Sequence, residues 1–396
     1  MINVLGGTYL EIDYDDISTE LYGSGFRATK FLLENNCPTK YSTVGNSQTV
    51  TYLNENKKAY KNFSFYCKEH HELIVFKYCF SLDEPEIIPS LQCISRLRTL
   101  NVSSDNIIVF GLLEAALSIQ GQKVVYDPQT AERPEKFSEF GKAEELIYVV
   151  NKKEAQSIAG TDNIDEIIKY FFQVELVTAF IIKNGPYGAS LYLEDKIVNI
   201  PSYITYNVNK IGSGDVFTGS FGYYWMERKL SIEDAALYAS RSTAIYCDLK
   251  AYVDTSILEN FKYREYKHEV LEKMQVYIAS PFFSLSDLIL IEKVRSAFLS
   301  FGINVFSPFH DIGIGDHANI AKKDLEAIEN SDIIFLVLDN LDSGTLIEAG
   351  YSMAKGKKMV AYHRTCTDDK LLMLKPANVD IFKHLTTAIY HTIWKL

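Results

Sequence analysis

At 396 residues the chain exceeds one average domain and predicts two or three cores, since a domain takes roughly 100–200 residues. Its formal charge of −11 argues against nonspecific nucleic-acid binding, which needs a basic surface to displace counterions from phosphates. The composition is 47% hydrophobic and 23% charged, as in a globular protein, and no run reaches the roughly 18 apolar residues of a membrane span.

Taken in chain order, residues 1–14 read as a strand and a turn with acidic residues, without the basic region and cleavage site of a signal peptide. The expectation is a chain that starts at Met1 and stays in the cytoplasm. Residues 54–81 carry clustered aromatics and an alternation that suggests antiparallel strands. From there on, apolar runs alternate with amphipathic stretches. Strands are expected at 107–112, 123–126, 146–150, 179–183, 275–279, 304–307, 333–338 and 358–362. Helical patterns cover 153–159, 214–228, 232–247, 285–301 and 343–355. This order predicts α/β layers with largely parallel sheets. The charged stretch 261–273 lacks a deep apolar face and a fresh strand follows it, so a break falls there: a first domain over 1–258, a linker over 259–273 and a second domain over 274–396. The six cysteines (Cys37, Cys67, Cys79, Cys93, Cys247, Cys366) have no CxxC and no metal-ligand spacing, which reads as buried free thiols in a reducing compartment and no direct metal site.

In the first domain the informative stretch is Gly212-Ser213-Gly214-Asp215 at the start of a helical pattern. Glycines there leave backbone N–H groups free to hold an anion, which the helix dipole favours, and an aspartate just beyond can deprotonate an attacking hydroxyl. On spacing alone a tight turn with a cap is the better explanation of the motif. Context adds to it: Asp127-Pro128, Asn151-Lys152-Lys153-Glu154 and Asn184-Gly185-Pro186-Tyr187-Gly188-Ala189 each follow a strand. In order and spacing these segments resemble the ribokinase-like (PfkB) sugar and nucleoside kinases, over roughly residues 1–258. The resemblance implies Asp215 as base, Gly212, Ser213 and Gly214 as anion hole, Asn151 and Glu154 near the magnesium–phosphate region, and Asn184 with Gly185 in the ATP-binding part. ATP and Mg2+ are the implied cofactors. The chain departs from the family pattern at Asn209-Lys210, where Asp-Thr is usual, and in the reduced Gly23-Ser24-Gly25 segment with Arg27 in place of an asparagine. Retention of Asp215 favours an active kinase; the altered motifs favour a changed substrate or a domain that binds without phosphorylating.

In the second domain two segments carry the chemistry. Tyr277-Ile278-Ala279-Ser280-Pro281-Phe282-Phe283 is a strand running into a turn, with small residues at the carboxyl end, where open α/β sheets bind ligands. Asp342-Ser343-Gly344-Thr345-Leu346-Ile347-Glu348-Ala349-Gly350 follows an apolar strand and opens a helix. Asp342 is placed to cap it, Gly344 lets a ligand approach the backbone, and Glu348 lies about one and a half turns in. Alone, Asp342 would be an ordinary cap and Glu348 an ordinary solvated residue. With Asp324-Leu325-Glu326-Ala327-Ile328 between them, the segments resemble the nucleoside 2-deoxyribosyltransferases over about 120 residues. The resemblance implies Glu348 as nucleophile, Asp342 binding or protonating the base, Asp324 as a further site residue, no cofactor, and oligomers with shared sites. Tyr277, Phe282 and Phe283 are candidates to stack on a base or to be core; His310 and His317 are weaker candidates, and Asn378 would reach a neighbouring subunit's site.

The leading expectation is a bifunctional enzyme acting on a small nucleoside, nucleotide or sugar, without nucleic-acid or membrane partners. Two other readings stay open: an NAD- or nucleotide-cleaving defence effector with a regulatory kinase-like domain, which would deplete NAD on expression, and a non-catalytic nucleotide sensor, which would bind ligand and leave it unchanged.

Overall fold

The computed structural model describes residues 1–130, 132–258, 260–267, 274–313, 317–374 and 379–396. The chain divides into two compact units, residues 1–205 with 209–266, and residues 206–208 with 267–396. No helix among the described residues is long and apolar enough to cross a membrane.

The first unit contains β1 (Ile2–Leu5), β2 (Leu10–Asp13), β3 (Ser18–Leu21), β4 (Thr39–Gly45), β5 (Phe63–Glu69), β6 (Val75–Tyr78), β7 (Glu86–Ile88), β8 (Leu97–Phe110), β9 (Ala115–Asp127), β10 (Gly141–Asn151), β11 (Ala179–Lys183), β12 (Ala189–Tyr192) and β13 (Ile197–Ile200). A short antiparallel pair, β14 (Tyr203–Ile204) and β15 (Arg264–Glu265), completes it. Nine strands form one sheet in the order β13-β12-β11-β10-β9-β8-β1-β4-β5. Pairing is parallel from β11 to β5, and the β11-β12-β13 edge is antiparallel. A parallel sheet needs cover on both faces, and its central strands read as continuous apolar runs; Leu146 to Val150 in β10 are all buried. One core cluster joins Phe26, Phe31 and Leu32 of helix Gly23–Glu34 to Val216, Phe217 and Phe221 of helix Ser213–Gly222. A second joins Ala155 and Ile158 to Ile167 and Phe171. Cys79 and Cys93, expected as buried thiols, are exposed, since both lie in connections between strands.

A separate four-stranded sheet, β3-β2-β6-β7, carries Glu11 on β2. The expected antiparallel character of residues 54–81 holds only for β6 against β7. Residues 54–59 belong to helix Ser47–Ala59, whose cap residue Asn46 accepts from the backbone N–H groups of Gln48 and Thr49. That cap and the one buried apolar anchor, Leu53, outweigh the aromatic clustering; β5 then pairs parallel to β4.

The second unit is an all-parallel five-stranded sheet in the order β17-β16-β18-β19-β20, made of β16 (Gln275–Ala279), β17 (Asn304–Phe306), β18 (Ile333–Val337), β19 (Lys358–Tyr362) and β20 (Asp380–Phe382). Every residue of β18 is buried, as a strand covered on both faces requires. Helices Leu285–Ser300, His317–Asn330, Ser343–Ala354 and Leu385–Lys395 connect or follow the strands, giving a small doubly wound layer.

Candidate functional site

In the second unit, helix Ser343–Ala354 starts beyond the end of β18, at the carboxyl edge of the sheet. Asp342 is its cap: Oδ2 accepts from the Thr345 backbone N–H at 3.0 Å and from the Thr345 hydroxyl at 3.3 Å. A Cβ on Gly344 would lie 3.0 Å from that same Oδ2, so glycine keeps this carboxylate uncrowded. Glu348, further along the helix, meets the neighbouring strand, and the Tyr277 hydroxyl of β16 donates to its Oε1 at 2.8 Å. Burial pushes the Glu348 carboxyl up to about 8; Asp324 and Asp342 push in the same direction, and the Tyr277 hydrogen bond opposes them. Asp324, on helix His317–Asn330, is pushed up to about 6 by burial, and its Oδ1 is buried without a hydrogen-bond partner.

Asp324 and Asp342 therefore both act on Glu348, which also holds one bonded phenol. Tyr277 is fully buried, with its ring stacked on Phe306 at a centroid distance of 5.6 Å, so its contribution is a hydroxyl aimed at Glu348 rather than a stacking face. Ser280 and Pro281 are buried beyond β16, where the Ser280 hydroxyl donates to the Pro281 carbonyl at 3.1 Å. Phe282 is half-buried between Phe283 and Phe309, and Phe283 is exposed. His310 is engaged with Ser307 and Glu292, at 3.1 and 3.0 Å. The side chain of His317 and the whole of Asn378 lie outside the described residues.

The Tyr277–Glu348 bond gives a prediction with a definite sign. Tyr277→Phe removes an interaction that favours the ionised carboxylate, so the Glu348 pKa rises further. If Glu348 acts as an anion, the ascending limb of the pH–rate profile for base release moves to higher pH. A limb left in place would mean that the phenol does not set the ionisation.

In the first unit, Asp215 sits in the first turn of helix Ser213–Gly222, with Gly212 in the left-handed region as its cap (φ 77°). Burial raises the Asp215 carboxyl, and Arg27 opposes the rise. Arg27 Nη1 donates to Asp215 Oδ2 at 2.8 Å and to Glu11 Oε1 at 3.2 Å, while Nη2 bonds Glu11 Oε2. The guanidinium lies so close to Gly212 that a Cβ there would fall 2.1 Å from Arg27 Nε. Gly212→Ala is expected to destabilise the chain by at least about 2 kcal/mol through backbone strain and collision, read as a lower melting temperature.

Beside this triad, Lys183 bonds Asp127 at 2.7 Å, and Asp127 also accepts from Thr218 at 2.8 Å. The Lys210 ammonium donates to the Ser213 hydroxyl at 2.9 Å; burial lowers its pKa, and nearby Lys183 contributes to the lowering. Asn151 and Glu154 form a reciprocal capping box at the start of helix Lys152–Ala159, and burial followed by Asp127 pushes Glu154 up to about 7. Asn184 is committed to a tight turn, its amide donating to Ser190 Oγ at 3.1 Å, and Gly185 has positive φ. At Gly214 an added Cβ would meet only the Lys183 ammonium, 3.5 Å away, so the backbone there is open to close approach beside a cation. Asp215, Glu154, Lys183 and Lys210 thus share one electrostatic neighbourhood. Glu11 and Lys183 were not singled out by the motifs, and Asp127 was named only as part of the Asp127-Pro128 segment; the unusual Arg27 was the one signal that pointed towards Glu11.

The sequence model of the pfkB family carbohydrate kinases matches residues 39–251, more than half of the chain. The chain belongs to the pfkB carbohydrate kinase family. A second model, nucleoside 2-deoxyribosyltransferase, matches residues 276–375, which hold Tyr277, Asp324, Asp342 and Glu348. The pfkB-family unit is thus followed by a deoxyribosyltransferase-like one. Similar solved structures include a ribokinase from Thermotoga maritima, at 15% identity over 66% of this chain and 98% of that one, with a TM-score of 0.46. A ribokinase from Giardia lamblia is 13% identical over 65% of this chain and 98% of that one, with a TM-score of 0.49. An uncharacterized protein of Ureaplasma parvum is 29% identical over 100 residues, 22% of this pfkB-family chain and 63% of that protein's length. The match therefore spans less than two thirds of that relative.

Proposed function

We propose that the chain is a bifunctional enzyme of nucleoside or nucleotide metabolism, in which the second unit cleaves or transfers an N-glycosidic bond and the first phosphorylates a sugar or nucleoside. The observation that carries the reading is the Tyr277 hydroxyl bonded to Glu348, inside the segment that matches the deoxyribosyltransferase model.

Ionised Glu348 attacks the anomeric carbon as the bond to the base breaks, through an oxocarbenium-like state that a carboxylate stabilises. Asp342, at the start of the same helix, supplies the proton the leaving base needs. Asp324, pushed up to about 6, adds a second carboxyl that retains a proton more readily than an ordinary aspartate. Attack on the glycosyl-enzyme by another base gives transfer, and attack by water gives hydrolysis.

In the first unit Asp215 accepts the proton of the attacking hydroxyl. Gly212, Ser213 and Gly214, with Lys183 and Lys210 near them, hold the phosphate chain of ATP. ATP would supply the phosphoryl group, and bound Mg2+ would screen its charge. Asn151 and Glu154 line the region where that charge would lie, Glu154 within reach of Lys183 and Lys210 electrostatically.

The test is mass spectrometry of the full chain with deoxynucleosides, ribonucleosides, their monophosphates and NAD, with and without added free base and ATP–Mg2+. Base release or exchange is the expected result. Intact substrates throughout would sink the glycosidic reading.

A further inference from the structure

We propose that the first unit takes an acceptor that carries its own anionic group, a carboxylate or phosphate on a sugar-like frame, which displaces Glu11 from Arg27. The transfer step rests on the kinase reading above; the recognition step does not.

Arg27 is 2% exposed and has a carboxylate on two sides, Asp215 and Glu11. Its Nη1 and Nη2 form a two-point fork on the Glu11 carboxylate, the arrangement a guanidinium offers to any carboxylate or phosphate. Glu11 is therefore the chain's own occupant of an anion site. The Tyr22 ring covers the guanidinium, 5.1 Å from its centre, and keeps the fork away from water.

The two carboxylates differ in how they are held. Asp215 belongs to helix Ser213–Gly222, which packs closely on the helix carrying Arg27: a Cβ on Gly219 would fall 2.7 Å from that of Ala28. Glu11 comes from β2 in the smaller four-stranded sheet, separate from the nine-stranded sheet that these helices cover. Asp215 is thus fixed on Arg27 by helix packing, whereas Glu11 can leave with its own sheet.

Charge decides what replaces it. Two carboxylates and one guanidinium carry a net charge of −1, which a ligand carboxylate in place of Glu11 conserves and a phosphate monoester, at about −1.5 to −2 near pH 7, makes more negative. A neutral polyol in the same place would strip a buried guanidinium of one partner, which lowers affinity by a factor of about a hundred or more. With the anion seated on Arg27, a hydroxyl of the same acceptor bonds to the terminal phosphorus of a nucleoside triphosphate. The bond to the nucleoside diphosphate breaks, its oxygen keeps the electron pair, and the hydroxyl proton passes to Asp215.

The experiment measures binding by calorimetry and ADP formation with ATP–Mg2+ on the full chain, using ribose, ribose 5-phosphate, gluconate and inorganic phosphate. Ribose 5-phosphate or gluconate is expected to bind at least about tenfold tighter than ribose. Glu11→Gln should tighten that binding, because it removes the internal competitor's charge, and Arg27→Lys should erase the preference by losing the fork. A purely structural role for Glu11 predicts weaker binding instead. Equal binding of ribose and the anionic sugars, or weaker anion binding in Glu11→Gln, would overturn the proposal. So would inorganic phosphate binding as tightly as ribose 5-phosphate, because the sugar frame would then contribute nothing. Preference without ADP formation upholds recognition by Arg27 and assigns the failure to the kinase reading. Should Arg27→Lys fail to fold in a thermal melt, the opposite signs expected for Glu11→Gln still decide the matter.

Discussion

Glu348→Gln is expected to lower base release or exchange by about a thousandfold or more while leaving phosphoryl transfer by the first unit unchanged. Glutamine keeps the shape and can still accept from the Tyr277 hydroxyl, but it cannot form the glycosyl-ester. The folded state tolerates the change because burial already favours a neutral side chain at this position. Burial holds the Glu348 carboxyl up to about 8, above its ordinary value near 4.5, so the folded chain binds a proton there that the unfolded chain has released. The linked stability is therefore present below the ordinary value and is lost as pH rises through about 8. A neutral amide removes that loss, and the variant should melt no lower than the parent at pH 9. Base release in the parent should climb as pH approaches 8, where the nucleophile ionises. A melting temperature that holds while base release disappears separates catalysis from folding; base release that survives in Glu348→Gln removes Glu348 as nucleophile.

What the sequence made legible follows the physical range of each signal. Buried parallel strands announce themselves as unbroken apolar runs, so β18 and β19 were expected within a residue of their observed bounds. Helix Ser343–Ala354 was readable because Asp342 is followed by a helical pattern, and the structure makes that aspartate a cap whatever else it does. The same double meaning applies to Asn151 and Glu154, which satisfy each other as a capping box. Helix Ser47–Ala59 escaped because one buried leucine and a capping asparagine leave almost no apolar stripe. Pairs far apart in sequence were beyond reach. Lys183 to Asp127 spans 56 positions, Arg27 to Asp215 spans 188, and no local period records either. The one clue was a negative one, an arginine where a smaller polar residue was expected. Its partners became evident only with β2 and helix Ser213–Gly222 in place.

Asp215→Asn is expected to reduce phosphoryl transfer by about 10²–10⁴-fold and to leave base release by the second unit intact. The substitution is nearly isosteric, and the amide oxygen still accepts from Arg27 Nη1, so the contact seen at 2.8 Å survives in neutral form. What is lost is the capacity to take the proton of an attacking hydroxyl. The carboxylate's environment sharpens the expectation. Burial raises its pKa, which strengthens it as a base once ionised, and Arg27 opposes the rise and keeps the ionised form available. Neither effect helps an amide. ATP-dependent ADP formation and base release, measured on the same preparation, give the answer. Loss of the first with retention of the second assigns the base to Asp215. Loss of both with an unchanged melting temperature would mean that one turnover depends on the other, and the two activities would have to be treated as a single sequence. Retention of both would remove Asp215 from the chemistry and leave its pairing with Arg27 as its role.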